Sequence, residues 1–222
     1  MRGHLIHFRC DKNHREKLIK GFKIENVSLK IIKKVIASLS IKLTFILLNF
    51  HFTTMQFFKT TPQDIDAVFA IYDQATSYQK TVNNKSWRGF ERALIEKEIN
   101  EDRHFIIKED DVIACTFVIT FNDEIIWKEA AKDAAVYLHR IATNPKFRGQ
   151  GYVTKIVTWA KAYAEANNKK FIRLDTHSGN ERINKHYMSC GFEYKGISTI
   201  EWTPDLPQHY KEGSFSLFEI VL

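Results

Sequence analysis

Proline and cysteine are scarce in this 222-residue chain, at 4 and 3 residues. With 13% aromatic and 44% hydrophobic residues beside so little proline, long disordered stretches are excluded over most of the chain, and enough apolar side chain remains to fill a core. The cysteines, Cys10, Cys115 and Cys190, are odd in number, widely spaced and form no CxxC, which argues against a disulfide framework and fits a reduced, cytoplasmic compartment. Cys115 lies in an apolar strand pattern and reads as a packing residue. The nine histidines show no HExxH or other ligand spacing, so no metal is expected.

A basic surface is also missing from most of the chain, although the net charge is +7. Residues 1–54 hold 11 Lys+Arg against 3 Asp+Glu, a net of +8, and the remaining 22 and 23 leave −1 for residues 55–222. A nucleic-acid partner is therefore not expected.

Residues 1–54 read as a basic and apolar leader outside the folded domain, which is assigned to residues 55–222. The apolar run Val35 to Phe52 resembles an anchor, but Lys42 in its middle would cost about 2.5 to 3.5 kcal/mol at a bilayer centre, and no membrane partner is expected. Regular domain sequence starts abruptly at Met55, which suggests a native start there; intact mass of the natively expressed protein tests this, and a species beginning at Met1 would refute it.

From Met55 the pattern is regular. Gln56 to Lys59 reads as a strand, Thr61-Pro62 as a helix start, and Ile65, Val68, Phe69, Tyr72 and Ala75 as its buried stripe. A second helix is expected to carry Trp87, Phe90, Leu94 and Glu98. Phe105 to Ile107 and Val112 to Phe121 read as a hairpin turning at Glu109-Asp110-Asp111, and after a polar segment Val136 to Thr143 is a third consecutive strand. A helix over Thr154 to Ala166, a strand over Phe171 to Asp175, a helix over Asn180 to Cys190 stopped by Gly191, and strands over Phe192 to Ile200 and Ser214 to Val221 follow. The result is a mixed α/β domain of about seven strands and four helices, without the repeated alternation of a doubly wound fold.

Between the third of these strands and the next helix lies Arg148-Gly149-Gln150-Gly151-Tyr152-Val153. A glycine turn opening a helix aims backbone N–H groups outward at the positive end of the helix dipole, which suits phosphate oxygens. Ordinary turns use glycine too, so this stretch alone leaves both readings open.

A second stretch, Asn180 through Tyr187 to Gly191-Phe192, places Asn180 and Tyr187 two turns apart on one helix face. Together with Arg148-x-x-Gly151, it resembles the GCN5-related N-acetyltransferase (GNAT) superfamily over Gln56 to Leu222. The first signature ends on Val153 where the family has Gly or Ala. The resemblance implies a central mixed, mostly antiparallel sheet, and a cofactor, acetyl-coenzyme A, whose pyrophosphate is held by main-chain N–H groups of Arg148, Gly149, Gln150, Gly151, Tyr152 and Val153. It also implies that the strand Arg140 to Thr143 parts from Phe171 to Asp175, that main-chain groups at Ile141 and Thr143 bind the pantetheine arm, and that Asn180 contacts it. Tyr187 occupies the place of the family's general acid, which protonates the departing sulfur. Its other reading is a residue that merely packs on the sheet.

Acyl transfer to an amine also needs a base. His139 is the first candidate, since its ordinary pKa lies near working pH and Tyr137, His139 and Ile141 alternate onto one side of a regular strand; a packed structural histidine is the alternative. His177, Glu124, Glu129 and an ordered water are the others, while Arg140 could anchor an anion or pair with a carboxylate. The leading expectation is an acetyl-coenzyme A-dependent transferase acting on a small primary amine, with homodimers common in the family. A coenzyme A sensor of the same fold and a protein or peptide N-acetyltransferase are the alternatives.

Overall fold

The computed structural model describes Lys34 and residues 56–82, 85–204, 206, 211 and 213–222. The expectations about the leader and Met55 lie, apart from Lys34, outside the described residues.

Seven strands form one sheet in the order β1-β2-β3-β4-β5-β7-β6. They are β1 (Gln56–Lys59), β2 (His104–Glu109), β3 (Val112–Thr120), β4 (Ala135–Thr143), β5 (Phe171–His177), β6 (Glu193–Thr199) and β7 (Ser214–Val221). Only β4 and β5 pair in parallel; every other pair is antiparallel. Ile113 to Ile119 are all buried, as expected for a central strand covered on both faces. The β2–β3 hairpin turns through Asp110 and Asp111, at φ 48° and 63°, the two left-handed residues that a two-residue connection needs to match strand twist.

Among the described residues from Gln56 on there are five α-helices: α1 (Ile65–Thr81), α2 (Arg92–Asn100), α3 (Glu124–Trp127), α4 (Tyr152–Ala166) and α5 (Glu181–Ser189). The single turn α3, capped by Asp123 Oδ1 on Ile126 N at 3.4 Å, falls in the polar segment between the hairpin and β4. A short 3-10 turn, Pro62–Asp64, opens α1, and Asp64 accepts hydrogen bonds from the backbone and hydroxyl of Thr61. Helix α2 begins only at Arg92. Trp87 and Phe90, expected within it, precede it in a non-helical segment and pack edge-on or tilted against Tyr72, whose burial requires a cover there.

One face of the sheet joins Phe117, Val136, Leu138, Ile172, Leu174 and Phe218 to the Ile156, Val157, Ala160 and Ala164 stripe of α4. The opposite face packs Ile106, Ile113 and Ala142 under α1 and α2, and Ala135, Tyr137 and Phe215 against Ile126 and Trp127.

Strand β4 is not regular. Thr116 pairs with Ala142 but Val118 with His139, so β4 carries one extra residue, and Arg140 is left-handed at φ 49°. This bulge reverses the alternation. Ile141 joins Val136 and Leu138 on the α4 face, and so does not share a side with Tyr137 and His139 as a regular strand would have it.

Candidate functional site

The parallel ladder of β4 and β5 runs from Ala135–Phe171 to Leu138–Leu174 and ends there, although β4 continues to Thr143 and β5 to His177. Beyond Leu138 the edge of β4 that faced β5 has no strand partner among the described residues. A cleft of about 1400 Å³ opens at this fork, with Trp87, Phe90, His139, Asp175, Asn180 and Tyr187 among its walls.

At one rim stands the glycine turn. Gly149 and Gly151 are left-handed at φ 81° and 71°, and a Cβ built on either meets no atom within 4 Å, so what these positions require is the backbone conformation and clearance outward. Gly151 is the N-cap of α4 and no side chain caps the helix, so its first-turn N–H groups have no side-chain acceptor at the cap. Arg148 lays its guanidinium over the Tyr78 ring at 4.0 Å, fastening the turn to α1. Gln150 is exposed. Tyr152 points inward and donates to Glu109 Oε1 at 2.6 Å; burial, then Glu109, hold its phenol above the usual range. Val153 packs against the α4-side core, so the side chain that departs from Gly or Ala at this position turns away from the turn's outer surface.

Thr143 lies beside Cys115, their Oγ1 and Sγ 3.7 Å apart, and burial pushes the Cys115 thiol up to about 12, in keeping with a packing role. Across the cleft, Asn180 accepts from Ile183 N at 3.2 Å through Oδ1, so its carboxamide oxygen caps α5 while the residue lines the cleft.

The two sides of the fork carry different chemistry. Tyr187 comes from the α4 face, packed on Phe218 at 5.3 Å and Phe192 at 6.1 Å, with its phenol held above the usual range by burial and then by Asp175. His139 and Asp175 follow the last ladder pair and alternate onto the other face, where Asp123 joins them from the cap of α3. One ligand atom from each of Asp123, His139 and Asp175 lies within 4.8 Å of the other two. At such spacing one ammonium or water can bridge all three. Burial lifts Asp123 to about 6; burial and then the Asp123 charge lift Asp175 to about 8. Among the described residues no Lys or Arg ion pair reaches either carboxylate.

Sequence reasoning placed His139 at this site and missed Asp123 and Asp175. A capping Asp after Asn122, and an acid ending the buried run Ile172 to Leu174, were the available signals. Of the other candidates, Glu124 and His177 line the cleft, whereas Glu129 sits exposed in an ion pair with Lys132 at 2.5 Å. Arg140 pairs with Glu98, itself buried, and stacks over Phe90 at 5.2 Å.

The acetyltransferase (GNAT) family matches residues 66–192. The uncharacterized N-acetyltransferase YesJ of Bacillus subtilis (strain 168) is 22% identical over 142 residues, 60% of this chain and 79% of its own length. A GNAT-family acetyltransferase from Listeria monocytogenes 4b F2365 superposes with a TM-score of 0.61 at 22% identity, covering 76% of this chain and 95% of that one. The structure of yncA from Salmonella typhimurium with its cofactor acetyl-CoA superposes at 0.53 and 15% identity over 76% and 94%.

Proposed function

The chain belongs to the GNAT family of acetyltransferases and is an acyltransferase that uses acetyl-coenzyme A, and on that premise we propose that it acetylates a small primary amine by direct attack at the β4–β5 fork. The observation that carries this reading is the opposition across the fork of a high-pKa phenol, Tyr187, and the Asp123–His139–Asp175 cluster. The cofactor supplies an activated acetyl thioester. The backbone donors from Arg148 to Val153 hold its pyrophosphate, main-chain groups at Ile141 and Thr143 take the pantetheine arm as an added strand, and the Asn180 amide contacts that arm. Tyr187, kept protonated by burial, gives its proton to the departing sulfur. His139 takes the proton released by the amine.

An ionised Asp123 beside a neutral Asp175, with no Lys or Arg ion pair on either among the described residues, suits an acceptor that arrives as an ammonium ion. The balance of −1 over residues 55–222 fits a small amine better than a nucleic acid. The reading places the protein in the cytoplasm, consistent with buried, unpaired Cys115 and Cys190, and allows a homodimer, which native mass spectrometry addresses.

Acetyl-coenzyme A binding followed by thiol release over a panel of amines, amino acids and peptides tests the proposal. Turnover of small amines is expected. Absence of cofactor binding would refute the cofactor site, release confined to peptides would refute the small-molecule acceptor, and binding without release to any acceptor would leave a coenzyme A sensor.

A further inference from the structure

His139 Nε2 lies 3.1 Å from Thr120 Oγ1, and Thr120 Oγ1 lies 3.0 Å from the Asn122 carbonyl oxygen. A carbonyl can only accept, and a threonine hydroxyl carries a single proton. Both hydrogen bonds are made together only when Thr120 donates to Asn122 and His139 donates Nε2–H to Thr120. A neutral imidazole bearing its proton on Nε2 has its lone pair on Nδ1.

We infer that Thr120 is a positioning residue that holds His139 as the Nε2–H tautomer, making Nδ1 the atom that takes the amine's proton. The inference rests on the base role proposed for His139. It gives that role an atom and a direction: the amine nitrogen bonds to the acetyl carbon and loses a proton to Nδ1, the carbon–sulfur bond breaks, and the sulfur takes the Tyr187 proton. His139 then holds two N–H groups, with Nε2–H still on Thr120 and the Asp123 carboxylate close by to stabilise the imidazolium.

The Asp123 carboxylate explains why a tautomer lock is needed. A neutral histidine beside an ionised acid favours whichever tautomer points an N–H at that acid, so without a fixed partner the nitrogen that serves as base is not set. The Thr120–Asn122 link opposes this pull. It is set by the backbone at the end of β3, where the chain leaves the sheet towards Asp123 and α3.

Long-range proton–nitrogen NMR of the full chain, ¹⁵N-labelled at histidine, reads the tautomer directly, with His139→Gln identifying the signal among nine histidines. Wild type is expected to show His139 protonated at Nε2. Thr120→Val is expected to move the proton towards Nδ1 and lower kcat roughly tenfold, with little change in the KM for acetyl-coenzyme A, and Thr120→Ser to restore both. A wild-type spectrum with the proton on Nδ1, or a Thr120→Val protein with unchanged tautomer and rate, overturns the inference. The expected spectra together with full activity in His139→Gln would keep the tautomer lock and overturn the base role instead.

Discussion

Leu138 lies opposite Leu174 as the last pair of the β4–β5 ladder, and the next residue on each strand, His139 and Asp175, belongs to the cluster that Asp123 completes. The fork opens just past this pair, with Tyr187 reaching it from the other face. Burial keeps the Tyr187 phenol protonated well past neutrality. Tyr187→Phe removes the proton and little else, so kcat should fall by roughly 10²-fold or more, with the acetyl-coenzyme A KM nearly unchanged. Steady-state thiol release checks this, and an unchanged kcat would discard the acid role.

Gly151 is left-handed in open space. Gly151→Ala therefore meets no clash and pays only for the backbone conformation, about 1 kcal/mol, which lowers Tm by about 2 to 4 °C in a domain of this size. A tilt of the first-turn N–H groups should raise the acetyl-coenzyme A KM more than it changes kcat. Calorimetry and initial rates separate the two effects.

Glu98 is 4% exposed and neutralises Arg140, the left-handed residue of the bulge. Glu98→Ala leaves a half-buried guanidinium without its partner, at a cost of about 3 to 5 kcal/mol. A lower urea midpoint with an unchanged slope is the expected result.

Much of this architecture is legible in local spacing. The Arg148 to Val153 turn and the Asn180 to Phe192 run are contiguous, and β1 and β7 fall where alternation and breakers put them. The start of α2 was misread because Trp87 and Phe90 keep helical spacing while serving as an extended cover over Tyr72. No glycine marks the bulge; a single left-handed arginine reverses the side-chain alternation, which a pattern cannot display. Asp123, His139 and Asp175 come from three separate elements, so only the folded sheet brings them together.

Asp175 holds a proton in the folded chain up to about pH 8, whereas an unfolded Asp releases it near its model value of 3.8. The folded state therefore binds more protons across that window, and this group makes the protein less stable as pH rises through it. Asp175→Asn lacks the effect. Its Tm should match wild type near pH 4 and exceed it near pH 8.5; a constant difference across that range would show that Asp175 ionises normally.

His104 shows the opposite sign. It is fully buried, with Thr60 Oγ1 2.7 Å from Nδ1 and Tyr72 Oη 3.0 Å from Nε2. Burial, and then the positive charge of Arg140, lower it from 6.5 to about 3. An unfolded chain takes up a proton at this residue below pH 6.5 that the folded chain refuses, so stability present above that pH is lost as pH falls towards 3. The full span is on the order of 5 kcal/mol. His104→Gln retains a donor and an acceptor but cannot titrate, so it should be less stable than wild type at pH 7.5 and close that gap as pH falls to 4. Urea denaturation of both proteins at several pH values measures the gap, and parallel curves would mean that His104 does not drive the acid sensitivity.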